Sequence, residues 1–180
     1  PLAFDASGWL AGAEHVRSPN CDPRPAGAEI DLLVVHNISL PPGEFSGQQI
    51  VDFFCNRLDW NAHPYFATIR DLRVSAHFLI ARDGRIVQFV SCNDRAWHAG
   101  LSRFEQRERC NDFSVGIELE GTDETPFTAL QYAQLAHLIG ALRAHYPIRA
   151  IAGHADIAPG RKTDPGPSFD WTQLIASGLP

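Results

Sequence analysis

The stretch Gly153-His154-Ala155-Asp156-Ile157-Ala158-Pro159-Gly160-Arg161-Lys162-Thr163-Asp164-Pro165-Gly166 brings a histidine, two aspartates and a lysine into one loop, stiffened by proline and opened by glycine. Imidazole and carboxylate are the donor types of catalytic zinc sites, which take about three protein ligands and keep one position for water. The loop offers one imidazole and a choice of carboxylates, so a second histidine has to come from elsewhere. His36 is the best donor, because it closes the apolar run Leu32-Leu33-Val34-Val35 and is followed at once by Asn37, Ser39, Pro41, Pro42 and Gly43. That pattern is a buried strand ending in a polar residue. The same grammar recurs where Ile148-Arg149-Ala150-Ile151-Ala152-Gly153 delivers His154 as the chain leaves regular structure. Polar groups at the carboxyl ends of strands are well placed as ligands or catalytic groups. Spacing alone leaves Asp164 and Asp156 as alternatives for the third ligand. Asp156 sits two residues after His154 and points the same way if the chain is extended, but it equally suits a turn cap.

Stepping outward, these residues need a sheet to position them. Residues 74–80 and 86–90 run apolar or alternate around Arg82-Asp83-Gly84-Arg85, which predicts a β-hairpin with an Asp-Gly turn. A further strand over 113–121 puts Ile117 and Leu119 on one face and Glu118 and Glu120 on the other. Two carboxylates on one face raise the pKa of at least one of them, and such a group can take and return a proton. Helices are expected over 47–58 with Ser46 as cap, over a long segment capped by Thr125 with Pro126 first and Leu135, Leu138, Ile139 and Leu142 buried, and over 168–177 ended by Gly178. Residues 59–73 lack a period and read as a binding loop or lid. The first thirty residues read as an irregular wrap anchored by Trp9 and Leu10, and 95–111 as a loop or broken helix. Together these predict one α/β domain over residues 1–180, a central mixed sheet of about five strands flanked by helices, with the metal site at one edge of the sheet.

Composition excludes several functions. A chain of 180 residues buries enough surface to fold without staples, and its net charge of −6 argues against binding nucleic acid or an anionic membrane surface. Cys21, Cys55, Cys92 and Cys110 are scattered with no C-x-x-C pair and are expected to be reduced thiols. No run is long enough to span a bilayer, and the first residues lack a basic region followed by an apolar core, which predicts a cytoplasmic protein.

With these residues in view, the chain resembles the zinc-dependent N-acetylmuramoyl-L-alanine amidases of the AmpD type, nearly end to end. The resemblance rests on Gly8-Trp9-Leu10, Ser18-Pro19-Asn20, the run 34–45 around His36, Asn61-Ala62-His63-Pro64-Tyr65-Phe66, and Arg73-Val74-Ser75-Ala76-His77. It continues through Arg95-Ala96-Trp97-His98-Ala99-Gly100, the run 107–114, Gly116-Ile117-Glu118-Leu119-Glu120-Gly121 and the metal loop as far as Pro167. It implies one Zn²⁺ per chain held by His36, His154 and Asp164, with Glu118 as proton carrier, Lys162 as the cation that stabilises charge on the carbonyl oxygen, and Tyr65 facing the reacting groups. The implied substrate is an anhydromuropeptide, cut between the lactyl group of N-acetylmuramic acid and L-alanine during cell-wall recycling. Its carboxylates give Arg73, Arg107 and Arg109 a reason to lie near the site, as guanidinium forks match them. Asn37 and Trp97 are expected to complete the substrate contacts, and the protein is expected to act as a monomer. Two rivals remain at this point: a periplasmic amidase acting on intact wall, and a related peptidoglycan-recognition module that binds without cleaving. Such binders lack part of the zinc triad, whereas here all three ligand positions are filled.

Overall fold

The computed structural model of the protein describes residues 2–176. Its organising element is the strand Leu32–Ile38, whose run of apolar side chains is buried on both faces. A continuous apolar run of this kind belongs in the interior of a parallel sheet. The strand lies between Ala150–Gly153 on one side and Ser114–Glu120 on the other, parallel to both. Beyond Ser114–Glu120 the sheet continues through Phe78–Ile80, Ile86–Gln88 and Glu14–His15. The first two of these form the expected antiparallel hairpin, with Gly84 at φ 86° in its turn. Among the described residues the sheet has six strands, in keeping with the expected mixed sheet of about five plus one. Its extra member, Glu14–His15, comes from the segment read as irregular, and at two residues it is too short to show any alternation.

Each face of the sheet is covered separately. Leu33, Val35, Ile117, Leu119, Phe78 and Ile80 pack against Leu135, Leu138, Ile139 and Leu142 of the helix Ala129–His145. On the other side, Leu79 and Val87 pack on Ile50, Phe54, Leu58 and Phe66, while Leu32 and Val34 meet Ala99, Cys110, Phe113 and Ile157. All four cysteines are free, and three of them are buried. Among the described residues no helix is long and apolar enough to cross a membrane.

Several element boundaries differ from the expectation. The long helix starts three residues later than Thr125 and Pro126 suggested: Thr128 is its cap, and Thr128 and Gln131 form a reciprocal capping box. Thr125 instead donates its backbone N–H to Thr122 within the preceding loop. The first helix is shorter than 47–58, spanning Gln48–Phe54 with Gly47 at φ 73° as its cap and no side-chain cap from Ser46. It stops because Asn56 turns left-handed at φ 57° and exchanges side-chain hydrogen bonds with Asn20. Residues 59–73 contain a one-turn helix, Pro64–Thr68, with His63 as side-chain cap and proline at its start. The stretch 95–111 holds short paired strands in place of a loop: Asp94–Ala96 pairs with Cys21–Pro23, and Arg103–Phe104 with Arg107–Glu108. The last described helix is Thr172–Ala176, and the expected stop at Gly178 lies outside the described residues.

The capping box yields a direct test. Thr128→Ala removes the acceptor for Gln131 N–H and a donor to Arg82 O, and is expected to cost about 1 kcal/mol or somewhat more in urea unfolding. Thr125→Ala should cost less, because Thr125 caps no helix. Equal losses would move the helix start back to the position suggested by the sequence.

Candidate metal centre

His36 is the fifth residue of Leu32–Ile38, and parallel pairing sets Glu118 directly beside it and Gly153 beside Val35. One register therefore brings the first imidazole, the glutamate and the approach to the second imidazole to the same end of the sheet. His154 does not leave regular structure as expected. It opens the short helix His154–Ile157, capped at Gly153, whose N–H donates to Asp156 Oδ2 at 2.7 Å. That hydrogen bond resolves the choice of carboxylate in structural terms, since Asp156 is turned back onto its own helix. Asp164 returns toward His154 because Ala155 N–H donates to Asp164 O at 2.9 Å. The loop is clasped from outside as well: Asn37 Nδ2 donates to Asp123 Oδ1 at 2.7 Å and to Pro165 O at 3.0 Å, and Thr163 Oγ1 donates to Asp123 Oδ2.

The result is a compact donor set. His36 Nδ1 lies 3.0 Å from His154 Nδ1 and 3.1 Å from Asp164 Oδ2, and His154 Nδ1 lies 3.3 Å from the same oxygen. Ligand atoms about 2.0–2.1 Å from a tetrahedral ion stand roughly 3.3 Å apart, so this spacing fits a zinc-sized cation. The three residues are the one such cluster found among the described residues. Burial disfavours the charged form of His36 and draws its pKa down, against the pull of Asp164. Burial also opposes ionisation of Asp164, but hydrogen bonds from His154 and His36 outweigh it and hold that carboxyl well below the usual range. A neutral imidazole at His36 and an ionised carboxylate at Asp164 are protonation states that suit a metal.

Glu118 is the chemical complement to this cluster. Its Oε1 is 4.0 Å from His36 Nδ1, and its buried Oε2 has no protein hydrogen-bond partner. Burial pushes its pKa well up, the Asp164 charge pushes it further, and Lys162 opposes both. A carboxyl whose pKa is raised in this way is suited to general acid and base work. Glu120 shares its strand face but is engaged elsewhere, accepting from Arg82 N–H.

A cleft of about 810 Å³ opens over the cluster, and its walls include Asn37, Tyr65, Trp97, Glu118 and Lys162. Lys162 is exposed and Tyr65 stands at the rim on the Pro64–Thr68 helix. Asn37 lines the cleft while its amide N–H groups serve the Asp123 clasp, and Trp97 Nε1 donates to Asp22. The three arginines expected near the site are not part of the walls. Arg73 donates to the carbonyls of Arg70 and Leu72, Arg107 pairs with Asp31 while lying 3.8 Å over the Phe113 ring, and Arg109 is exposed and paired with Asp112. Carboxylates and carbonyls of the chain itself capture these guanidinium groups. Arg161, which sequence reasoning passed over, does line the cleft and fastens to Ala99 O and Leu101 O. Its signal was its place next to Lys162. His98 and Asp123 were also missed, having no periodic or spacing signature.

Comparison with known proteins follows the same geometry. The family described as N-acetylmuramoyl-L-alanine amidase matches residues 26–167. The chain is 59% identical over 175 residues to the 1,6-anhydro-N-acetylmuramyl-L-alanine amidase AmpD of Citrobacter freundii, covering 96% of this chain and 94% of that protein. A crystal structure of a selenomethionine AmpD derivative superposes with a TM-score of 0.94 at 59% identity, covering 97% of this chain and 98% of the other. The Escherichia coli amidase AmiD, solved with anhydro-N-acetylmuramic acid-L-Ala-D-gamma-Glu-L-Lys, superposes with a TM-score of 0.63 at 30% identity, covering 98% of this chain and 65% of that one.

The raised pKa of Glu118 makes a prediction for the metal-free protein. A carboxyl whose folded pKa lies above its unfolded value favours the fold while protonated, and that stability is lost as pH rises through the folded pKa. Glu118→Gln removes the loss, so its melting temperature should match wild type in acid and exceed it increasingly as pH rises above the ordinary value of 4.5. Asp164, shifted the opposite way, stays ionised in both folded proteins above that pH, so the pH-dependent part of the difference reports Glu118. A variant less stable than wild type at neutral pH would show that Glu118 is ionised and satisfied.

Proposed function

The chain belongs to the N-acetylmuramoyl-L-alanine amidase family, and from that premise we infer how the cleft performs the reaction. The protein is an amidase that hydrolyses the bond between the lactyl carbonyl of (anhydro-)N-acetylmuramic acid and L-alanine in muropeptides. The observation that carries this reading is the convergence of His36, His154 and Asp164 beside a buried, unpartnered Glu118 at the mouth of the cleft.

In our reading one Zn²⁺ is held by His36, His154 and Asp164. When bound, such an ion supplies a Lewis acid that acidifies water and polarises the amide carbonyl. The remaining work belongs to side chains. Glu118 accepts the proton of the attacking water and passes it to the departing nitrogen of L-alanine, so the proton leaves with the peptide amine as the C–N bond breaks. Lys162, on the cleft wall, stabilises the negative charge that develops on the carbonyl oxygen. Tyr65 contributes from the rim, while the Trp97 ring offers an apolar face to the sugar and Asn37 holds the metal loop in place. The substrate's carboxylates meet Lys162 and Arg161 in the cleft rather than Arg73, Arg107 and Arg109.

We further infer a preference for soluble anhydromuropeptides, a role in cell-wall recycling, a cytoplasmic location and action as a monomer. A cleft of about 810 Å³ suits a fragment, being within the range of small-ligand pockets. Four unpaired thiols suit a reducing compartment. Every wall of the cleft comes from one chain, so the chemistry needs no second copy.

Metal analysis after dialysis is expected to find about one zinc per chain in wild type and in Asp156→Ala, and almost none in Asp164→Ala. Lys162→Ala should keep its zinc and lose roughly a hundredfold in turnover. Retention of zinc by Asp164→Ala would move the third ligand elsewhere. Peptide release from purified anhydromuropeptide is expected to outpace release from intact sacculi at matched bond concentration. Equal or faster cleavage of sacculi would overturn the recycling role and favour action on the wall.

A further inference from the structure

Both ligand imidazoles turn their far nitrogens toward one short segment. His154 Nε2 lies 2.9 Å from Ala99 O, and His36 Nε2 lies 2.9 Å from His98 Nδ1. We propose that His98 and Ala99 form the outer support of the metal centre, the His98 ring and the Ala99 carbonyl each taking the N–H of one ligand so that both histidines present Nδ1 to the ion. The proposal rests on the zinc reading above and assigns His98 as a positioning residue.

The proton logic is closed at each step. A carbonyl oxygen only accepts, so His154 carries a proton on Nε2, and with zinc bound its Nδ1 lone pair is the one left for the ion. For His36 to offer Nδ1, its Nε2–H must donate to His98 Nδ1, which in turn requires His98 to carry its own proton on Nε2. That nitrogen lies 3.1 Å from Ser114 Oγ, which is able to accept it. The reverse arrangement, with Ser114 donating to His98 and His98 to His36, would put a proton on His36 Nδ1 and block ligation.

The segment is itself held rigidly, as an orienting group must be. Asn111 Oδ1 accepts from the backbone N–H of both His98 (3.1 Å) and Ala99 (2.8 Å). Arg161 Nη2 donates to Ala99 O at 2.7 Å, so the carbonyl that orients His154 is fixed by the residue preceding Lys162. The His98 ring is buried, meets the His36 ring edge-on at 5.0 Å, and lies over Gly116, where any Cβ would stand 2.4 Å from the ring. The side chain of one residue and the carbonyl of the next thus set the orientation of two ligands that are 118 residues apart in sequence.

The test measures zinc affinity by chelator competition for wild type, His98→Leu and His98→Asn, together with unfolding of the metal-free proteins. His98→Leu is expected to bind zinc roughly ten- to a hundredfold more weakly, beyond any effect on metal-free stability. His98→Asn, whose amide oxygen takes the place of Nδ1, should recover most of that loss. A leucine variant that binds as tightly as wild type, or an asparagine variant that binds no better than a folded leucine variant, overturns the proposal. Should the leucine variant fail to fold, ¹⁵N spectra of the zinc-loaded wild type decide instead: slowly exchanging Nε2–H protons on both His36 and His154 support the proposal, and an Nδ1–H on either refutes it. A wild type that binds no zinc removes the metal reading itself, whereas tight wild-type binding with an unaffected leucine variant removes only the outer support.

Discussion

Two imidazole nitrogens 3.0 Å apart, both facing one carboxylate oxygen, form the buried polar cluster on which the rest of the site depends. Such a cluster is stable only if the fold holds its members together against their own desolvation and if a cation is available to satisfy their lone pairs. The parallel register of Leu32–Ile38 with its two neighbours does the first part, bringing His36, Glu118 and Gly153 to a common end of the sheet. The Asp123 clasp completes that holding, tying the exit of one strand and the loop after another to the segment that carries Asp164. Much of the polar hydrogen bonding around the cleft has this one purpose.

Glu118 and Glu120 show how position separates like groups. They share a strand face, are both buried and each keep one oxygen unpartnered, yet Glu120 Oε1 accepts from Arg82 N–H while Glu118 Oε1 lies 4.0 Å from His36 Nδ1. The same chemistry thus serves structure at one residue and, in the mechanism proposed above, proton transfer two residues earlier. Asp156 and Asp164 divide in a similar way: the first caps a short helix and the second turns into the cluster.

What could be read from the sequence follows the range of the interaction involved. The strand carrying His36 was legible because a strand buried on both faces is apolar over most of its length, and the face shared by Glu118 and Glu120 was legible because its neighbours alternate, the family resemblance alone singling out Glu118. The long helix was legible in its buried stripe but not in its start, as Thr125 and Thr128 are both plausible caps; Gln131, three residues after Thr128, was the overlooked signal. The two-residue pairings between 94 and 108 are too short to impose a period on the sequence. Arg73, Arg107 and Arg109 looked available for substrate because sequence order does not show that Asp31 and Asp112 lie against two of them and backbone carbonyls against the third. His98 acts through contacts with residues far away in the chain, and no local pattern reports such contacts.

The strand Ala150–Gly153 lies at the margin of the sheet and has a neighbour on one side only. It leads directly into His154, while His36 lies on that neighbour. An ion shared by the two histidines would work as a reversible staple, joining the early part of the chain to its last third at a margin of the sheet. Binding an ion only in the folded state favours that state by mass action. Susceptibility of this margin to proteases would then follow the supply of metal.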